Sequence, residues 1–187
     1  MGQSKLTLPL GHHTVIDHLV KTLLHSGVDM VLVVTGPHVP EVADLAAQAG
    51  ATVFALCQAT PDMRSTVEAG LDYLEGRFQP NPQDPWLLVP ADHPGFSSTT
   101  ISRLFQAAES DSPHGIAIPV YQGQRGHPTL FHWNHVDGIK QLPANHGINA
   151  FIQLQSQDVF EVPVDDAGVL MNLNTPDDFA TYFYSHS

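Results

Sequence analysis

Short apolar runs alternate with segments of helical periodicity along most of the chain, and this alternation constrains the fold more than any other feature. Apolar runs closed by glycine, proline or polar residues are typical of buried strands. The predicted strands are 30–36, 51–56, 86–91, 115–120 and 159–164, and the predicted helices are 15–24, 39–49, 63–74, 97–109 and 147–155. Strands that alternate with helices pair in parallel beneath helices on both faces. The pattern predicts an α/β fold: a three-layer, doubly wound, mostly parallel sheet of Rossmann-like type.

The charge and composition of the chain exclude several classes of protein and of binding partner. The chain has 19 acidic and 7 basic residues, a formal net charge of −12 and 42% hydrophobic residues. This composition excludes a disordered chain and a coiled coil. The acidic balance argues against nucleic acid and membranes as partners, so any bound phosphate must be held locally. No run is long enough to span a bilayer and no secretory signal is present, which favours a cytoplasmic protein.

Asp92 is the first candidate for chemistry because it directly follows the predicted strand 86–91. Ligands of open α/β sheets bind beyond the carboxyl ends of the strands. A carboxylate there is well placed to hold Mg²⁺, which prefers oxygen ligands and keeps several waters and substrate oxygens. The alternative is that Asp92 only opens a turn before Pro94.

Asn172 and Asn174 form a second group of oxygen ligands before the helix predicted after Thr175. They could instead only shape a turn, with Thr175 as the helix cap. Together with Asp92, they suggest one metal held between strand ends.

Two further segments carry positive or titratable side chains. Lys5 could neutralise a phosphate in this acidic protein, or could simply be solvated. Arg125 and His127 lie close together between glycines, which fits a substrate loop or a hairpin turn equally well.

Seven segments, taken in order, resemble one known family. They are MGQSKLTLPLG, VLVVTG, MRSTVEAGL, VPADHPGFSSTTISRL, GQRGHPTLF, VPVDDAGVL and NLNTPDDF. They resemble the MobA-like NTP transferases, especially the molybdenum-cofactor cytidylyltransferases. The resemblance covers nearly the whole chain and implies a single nucleotidyltransferase domain over residues 1–187, with the fold of the nucleotide-diphospho-sugar transferases.

The same resemblance implies a reaction and roles for particular residues. A terminal phosphate of a molybdopterin-type substrate would attack the α-phosphate of CTP or GTP, and pyrophosphate would leave. Asp92 and Lys5 would be catalytic, with Asp92 and Asn174 on Mg²⁺ and Lys5 on the triphosphate. The residues implied to bind the nucleotide or the pterin are Gly2, Lys5, Arg125, Gly126, His127 and Pro128, the last three on the acceptor side.

The sequence departs from the family pattern at several places. Family members carry a strand and a glycine-rich loop, Leu-Ala-Ala-Gly-x-Ser-x-Arg, before the Met-Gly seen here as Met1 and Gly2, so the resemblance implies that this loop is lacking. Because that strand is central in the family, we predict that strands 30–35 and 86–91 pair directly or that another segment lies between them. Asp62 stands where a glycine is usual, and the segment 144–149 has asparagines where an acid and an arginine are usual.

Two functions follow from these observations. The first is an active nucleotidyltransferase that uses Mg²⁺ and CTP or GTP and acts on small molecules. The alternative is a non-catalytic or truncated family member that acts as a binding or maturation partner for molybdenum cofactor, with a molybdoenzyme as its partner.

Overall fold

The computed structural model describes residues 4–109 and 114–173, together with Asp178. The strands are β1 (Pro9–Leu10), β2 (His13–Thr14), β3 (Leu32–Thr35), β4 (Thr52–Ala55), β5 (Pro85–Leu88), β6 (Ile116–Tyr121), β7 (Gln124–Arg125), β8 (Thr129–His132) and β9 (Val159–Pro163). The helices are α1 (Val15–His25), α2 (Pro40–Gln48), α3 (Met63–Phe78), α4 (Ser98–Glu109), α5 (Val136–Lys140) and α6 (Ile148–Leu154). Each of the ten strands and helices predicted above is present, and the short strands β1, β2, β7 and β8 and the helix α5 were not among them. The helix predicted after Thr175 lies almost wholly outside the described residues.

The first helix shows how local sequence sets the elements. Thr14 caps α1, because its side-chain oxygen accepts a hydrogen bond from the N–H of Asp17 at 3.3 Å. The apolar residues of α1 recur at helical spacing and are buried along one face. After the helix ends, Gly27 takes a φ of +86°, a conformation that favours glycine.

The strands form two main sheets. β3 pairs in parallel with β4, with Leu32 opposite Thr52. The second sheet has the order β5-β8-β6-β7, and β9 pairs in parallel with β6. Because β5 and β6 are both antiparallel to β8, the strands β5, β6 and β9 run in one direction.

Both sheets lie between the same two layers of helices. The first hydrophobic cluster joins α1, α2 and α4 to Val33 of β3, Leu87 of β5 and Leu130 of β8. The second joins α3, α5 and α6 to Trp86 and Phe131 on the opposite face. α2 and α3, which follow β3 and β4 along the chain, lie on opposite faces of the strands. The result is one three-layer arrangement of mostly parallel strands.

The prediction for the space between the first and third long strands is wrong for the described residues. β3 pairs with β4 and β5 pairs with β8, but β3 and β5 do not pair with each other. No described strand lies between them, and residues 9–10 pair only with residues 13–14. A cavity of about 1020 Å³ lies between them, lined by residues of both strands and of α1 and α3.

None of the described helices is long and apolar enough to cross a membrane.

Candidate functional site

Asp92 lies just beyond the end of β5, at the sheet edge where α/β proteins bind ligands. Its side chain is 42% exposed, so the carboxylate is accessible from solvent. The backbone N–H of Leu173 donates to the carbonyl oxygen of Asp92 at 2.8 Å. The structure therefore brings the 172–173 segment beside Asp92, while the shared metal site predicted for Asp92 with Asn172 and Asn174 stays a prediction.

His93 and His127 pack edge to face beside Asp92, with ring centroids 4.6 Å apart. Nε2 of His93 lies 3.9 Å from Oδ1 of Asp92. Burial and the nearby His93 lower the pKa of His127 to about 4, against the opposing effect of Asp92. Burial also lowers the pKa of His93, again opposed by Asp92. Both rings are therefore neutral at pH 7, and each supplies one hydrogen-bond donor and one acceptor.

The loop between β7 and β8 holds His127 in place from two sides. The N–H of Gly126 donates to the carbonyl of Pro119, and the N–H of His127 donates to the carbonyl of Val169, both at 2.8 Å. A Cβ atom on Gly126 would collide with the backbone of Val169, so this close approach requires glycine. Pro128 follows through a cis peptide bond and is buried. Gly126, His127 and Pro128 thus form one fixed unit near Asp92.

Asp166 organises the start of α4, and sequence reasoning missed it. Its carboxylate accepts hydrogen bonds from the N–H and Oγ of Ser97 at 2.8 Å, from Oγ1 of Thr100 at 2.6 Å and from the N–H of Gly168 at 3.0 Å. Burial raises the pKa of Asp166, but these hydrogen bonds outweigh burial and lower it overall. Ser97 caps α4, since its Oγ accepts from the N–H of Thr100 at 3.3 Å. Asp166 fixes both the 166–168 turn and the helix that follows the Asp92 loop.

Asn172 supplies an oxygen that nothing in the described chain uses. Its Oδ1 atom is buried and has no hydrogen-bond partner among the residues that the structure describes. Carboxylate and amide oxygens are ligands that Mg²⁺ and Mn²⁺ prefer. Within residues 4–109 and 114–173, no group of three or more His, Cys, Asp or Glu side chains is placed to hold a metal. The donor set therefore fits a divalent cation held by one or two protein oxygens and completed by water and substrate oxygens.

The comparison with known families decides where the chain belongs. The family model described as the MobA-like NTP transferase domain matches residues 1–159. The chain belongs to this family. The MobA-like NTP transferases are nucleotidyltransferases, so the family resemblance seen in the sequence is confirmed. No curated protein matches the chain.

Solved structures with this fold include several nucleotide-handling proteins. The Rv0371c protein of Mycobacterium tuberculosis, solved with manganese, has a TM-score of 0.79 and 20% identity, covering 98% of this chain and 93% of that one. A nucleotidyl transferase from Methanothermobacter has a TM-score of 0.76 and 22% identity over 98% of this chain and 86% of that one. A CMP:2-keto-3-deoxy-manno-octonic acid synthetase complexed with CTP has a TM-score of 0.71 and 14% identity, covering 97% of this chain and 90% of that one. The likeness confirms the predicted fold class.

The structure does not bring all the residues implied by the MobA-like family to the Asp92 site. Arg125 points to β9, where its Nε lies 2.7 Å from Oε1 of Glu161. Lys5 is exposed in a 3₁₀ turn, Lys5–Thr7, that packs against α1 and α2. Gly2 and Asn174 lie outside the described residues. The roles predicted for these four residues therefore stay predictions.

Asp62, which replaces the glycine usual in MobA-like proteins, caps α3. Its Oδ1 accepts hydrogen bonds from the N–H of Ser65 at 2.7 Å and from the Oγ of Ser65 at 2.9 Å. These bonds lower the pKa of Asp62, so it is a carboxylate at pH 7. The acid therefore has a structural partner in its own helix.

Most of the positively charged side chains have a partner within the chain. The intramolecular partners are Asp17 for Lys21, Glu68 and three carbonyls for Arg64, the ring of Phe78 for Arg77, the carbonyl of Pro163 for Arg103, and Asp72 and Glu75 for Lys140. A bound triphosphate would therefore depend on a metal ion and on backbone N–H groups for most of its charge neutralisation.

Proposed function

We propose that the chain transfers a nucleoside monophosphate from CTP or GTP to a phosphate of a molybdopterin-type acceptor. A phosphate oxygen of the acceptor forms a bond to the α-phosphorus, the bond from that phosphorus to the bridging oxygen breaks, and pyrophosphate leaves. The proposal rests chiefly on one observation: an accessible carboxylate, Asp92, stands at the carboxyl end of β5 beside a fixed pair of neutral histidines. Family membership supports the reaction class, and the sequence resemblance supports the acceptor.

In this proposal, His93 and His127 bind the acceptor. His93 and His127 carry no charge at pH 7 and can hydrogen-bond phosphate or pterin groups without competing for protons. Their Nδ1 atoms are buried and have no hydrogen-bond partner among the described residues. The loop that carries Gly126 and Pro128 fixes the His127 ring, so the acceptor would meet a rigid surface.

A divalent cation is part of the proposal. Asp92 would hold it, with the carbonyl side of Asn172 or Asn174 as a further ligand. When bound, Mg²⁺ would neutralise the triphosphate and the leaving pyrophosphate, which is the main demand of phosphoryl-type transfer. The acidic net charge of the chain makes such neutralisation necessary.

The test is calorimetric titration of CTP and of GTP, each with and without Mg²⁺, followed by a pyrophosphate-release assay. We expect metal-dependent binding of one nucleotide, and we expect Asp92→Asn to weaken it or slow transfer by roughly 100-fold. The matched control is Asp165→Asn, an exposed acid of the β9 loop. Unchanged metal-dependent binding in Asp92→Asn would show that Asp92 does not hold the metal.

Most of the basic side chains are already paired within the chain. This favours a second candidate function, in which a non-catalytic family member binds the pterin and transfers it to a molybdoenzyme. Such a protein needs no cluster of cations for a triphosphate. In this case neither nucleotide would bind with Mg²⁺, while a molybdopterin-type ligand would bind and be weakened by His127→Ala.

A further inference from the structure

Arg64, in the first turn of α3, holds the backbone of a loop that is distant in sequence. Its Nη1 donates hydrogen bonds to the carbonyls of Leu142, Pro143 and His146, at 3.1, 2.7 and 3.0 Å. Its Nε lies 3.0 Å from Oε1 of Glu68, one turn further along α3, and only 12% of the Arg64 side chain is exposed. One guanidinium group therefore fixes a loop that lies 78 to 82 positions further along the chain.

We call residues 142–147 the clamped loop, and it lies towards the same end of the sheet as Asp92. α3 ends six residues before β5 begins, so its last turn is near the amino end of β5. With 16 residues, α3 spans about 24 Å, so its first turn lies towards the carboxyl end of β5, which Asp92 follows. Lys140 pairs with Asp72 and Glu75 in the later turns of α3. From Lys140 onwards, the chain therefore runs along α3 towards the carboxyl end of β5.

The clamped loop also lies over the two strands that carry the candidate site. It joins α5 to α6, and both helices pack against Trp86 of β5 and Phe131 of β8. Asp92 follows β5 and His127 precedes β8, and these two strands are antiparallel, so both residues stand at the same end of the strand pair. The topology therefore places the clamped loop beside the site that contains Asp92 and His127.

The clamped loop offers polar but uncharged groups to solvent. The side chains from Pro143 to His146 are all exposed. Residues 142–147 include no acid, lysine or arginine. Oδ1 of Asn145 lies 2.9 Å from Nδ1 of His146. An amide has two donor hydrogens and an acceptor oxygen, which suit the edge of an uncharged heterocycle, whereas a phosphate is bound more strongly by a charged donor.

We propose that the clamped loop binds the pterin ring of the acceptor and that Arg64 is the positioning residue for this loop. Asn145 and His146 would hydrogen-bond the edge of the ring, while the phosphate of the acceptor lies towards Asp92. Arg64 touches no substrate and acts only through the three carbonyls that it holds. The inference rests on the proposed acceptor, which both candidate functions share.

The first test measures the binding of molybdopterin to the full chain by calorimetry. Arg64→Met should weaken this binding about tenfold, because the clamped loop loses its fixed position, and should leave nucleotide binding with Mg²⁺ within about twofold. The matched control is Lys140→Met, because Lys140 joins α5 to α3 through Asp72 and Glu75 rather than through the clamped loop. Both variants should lower Tm, but Lys140→Met should bind molybdopterin like the unchanged chain.

A second variant tests the contact with the ring without disturbing the fold. Asn145→Ala removes an exposed side chain and should weaken molybdopterin binding about fivefold. Competition by 6-hydroxymethylpterin, which carries the ring without the phosphate, should weaken by a similar factor, whereas competition by inorganic phosphate should not change. In the pyrophosphate-release assay, Arg64→Met should raise KM for the acceptor about tenfold and change kcat by no more than about twofold.

The outcomes separate this inference from the proposed reaction. It is overturned if the unchanged chain does not bind molybdopterin, if Arg64→Met and Lys140→Met weaken binding alike, or if Asn145→Ala binds like the unchanged chain. Molybdopterin binding that depends on Arg64 and Asn145, without release of pyrophosphate, would support the clamped loop and contradict the proposed transfer.

Discussion

The two sides of the central layer differ in how completely they are built. From β5 to β9 the strands form one continuous sheet, and Leu130 and Phe131 of β8 have no exposed surface. On the other side, β3 and β4 form a two-stranded sheet whose side chains are mostly half-buried, and a cavity separates β3 from β5. The same two helix layers cover both sides, so the difference lies in strand pairing alone. Among the described residues, β8 therefore has a paired strand on each edge, whereas β3 has one only on the β4 side.

The largest expected effect compares equal truncations on the two sides. Leu130→Ala should destabilise the protein by about 3 kcal/mol, because it opens a cavity beside the continuous sheet from β5 to β9. Leu32→Ala, beside the cavity between β3 and β5, should cost about 1 kcal/mol, because that side chain is already partly exposed. Urea unfolding of both variants measures the difference. Equal losses would mean that β3 is packed as tightly as β8 in solution.

Alanine substitutions at two glycines, Gly168 and Gly76, give a second comparison between a tightly packed position and an open one. A Cβ atom on Gly168 would collide with the carbonyl of Gly95 beside the Asp166 turn, whereas one on Gly76 of α3 would meet nothing within 4 Å. Gly168→Ala should therefore destabilise by about 2 kcal/mol. Gly76→Ala should stabilise by about 0.5 kcal/mol through helix propensity. Thermal unfolding of both variants checks the opposite signs, and a neutral Gly168→Ala would show that the turn can yield.

The smallest effect concerns the pH dependence of folding stability, which involves His127 in the loop before β8. The pKa of His127 is about 4 in the folded protein, against 6.5 for an ordinary histidine, so the unfolded chain binds the proton more readily. Stability should therefore be complete above pH 6.5 and fall as the pH drops towards 4. Allowing for solvent screening, His127 should account for about 1 kcal/mol of this loss. Unfolding of His127→Gln between pH 4 and 7 should show a shallower slope, and an equal slope would assign the loss to other groups.

Much of the fold could be predicted because each element carries its own signal. The periodicity of Val15 to Leu24 and the closing Gly27 predicted α1 within one residue. The end of α3 was placed four residues too early, because Gln79 ends the helix in a left-handed conformation that no glycine announced. The prediction for the space between β3 and β5 was wrong, because the pairing of two strands is not set by the residues of either strand alone.

The candidate site was predicted in part for the same reason. Asp92 could be found because it follows a recognisable strand, and Gly126, His127 and Pro128 because they form a family motif. The pairing of His93 with His127 joins residues 34 positions apart in sequence, and the role of Asp166 joins residues 66 and 69 positions apart. No local pattern marks such contacts, because they form only when the two chain segments meet in the folded sheet.

The Asp166 turn also has a consequence for the order of assembly. The start of α4 draws its carboxylate partner from a residue that follows β9, so the helix is synthesised long before the group that secures it. Closing so long a loop is slow and entropically unfavourable. We therefore expect the loop after β5, which carries Asp92, to take its final position only after the last third of the chain has joined the sheet.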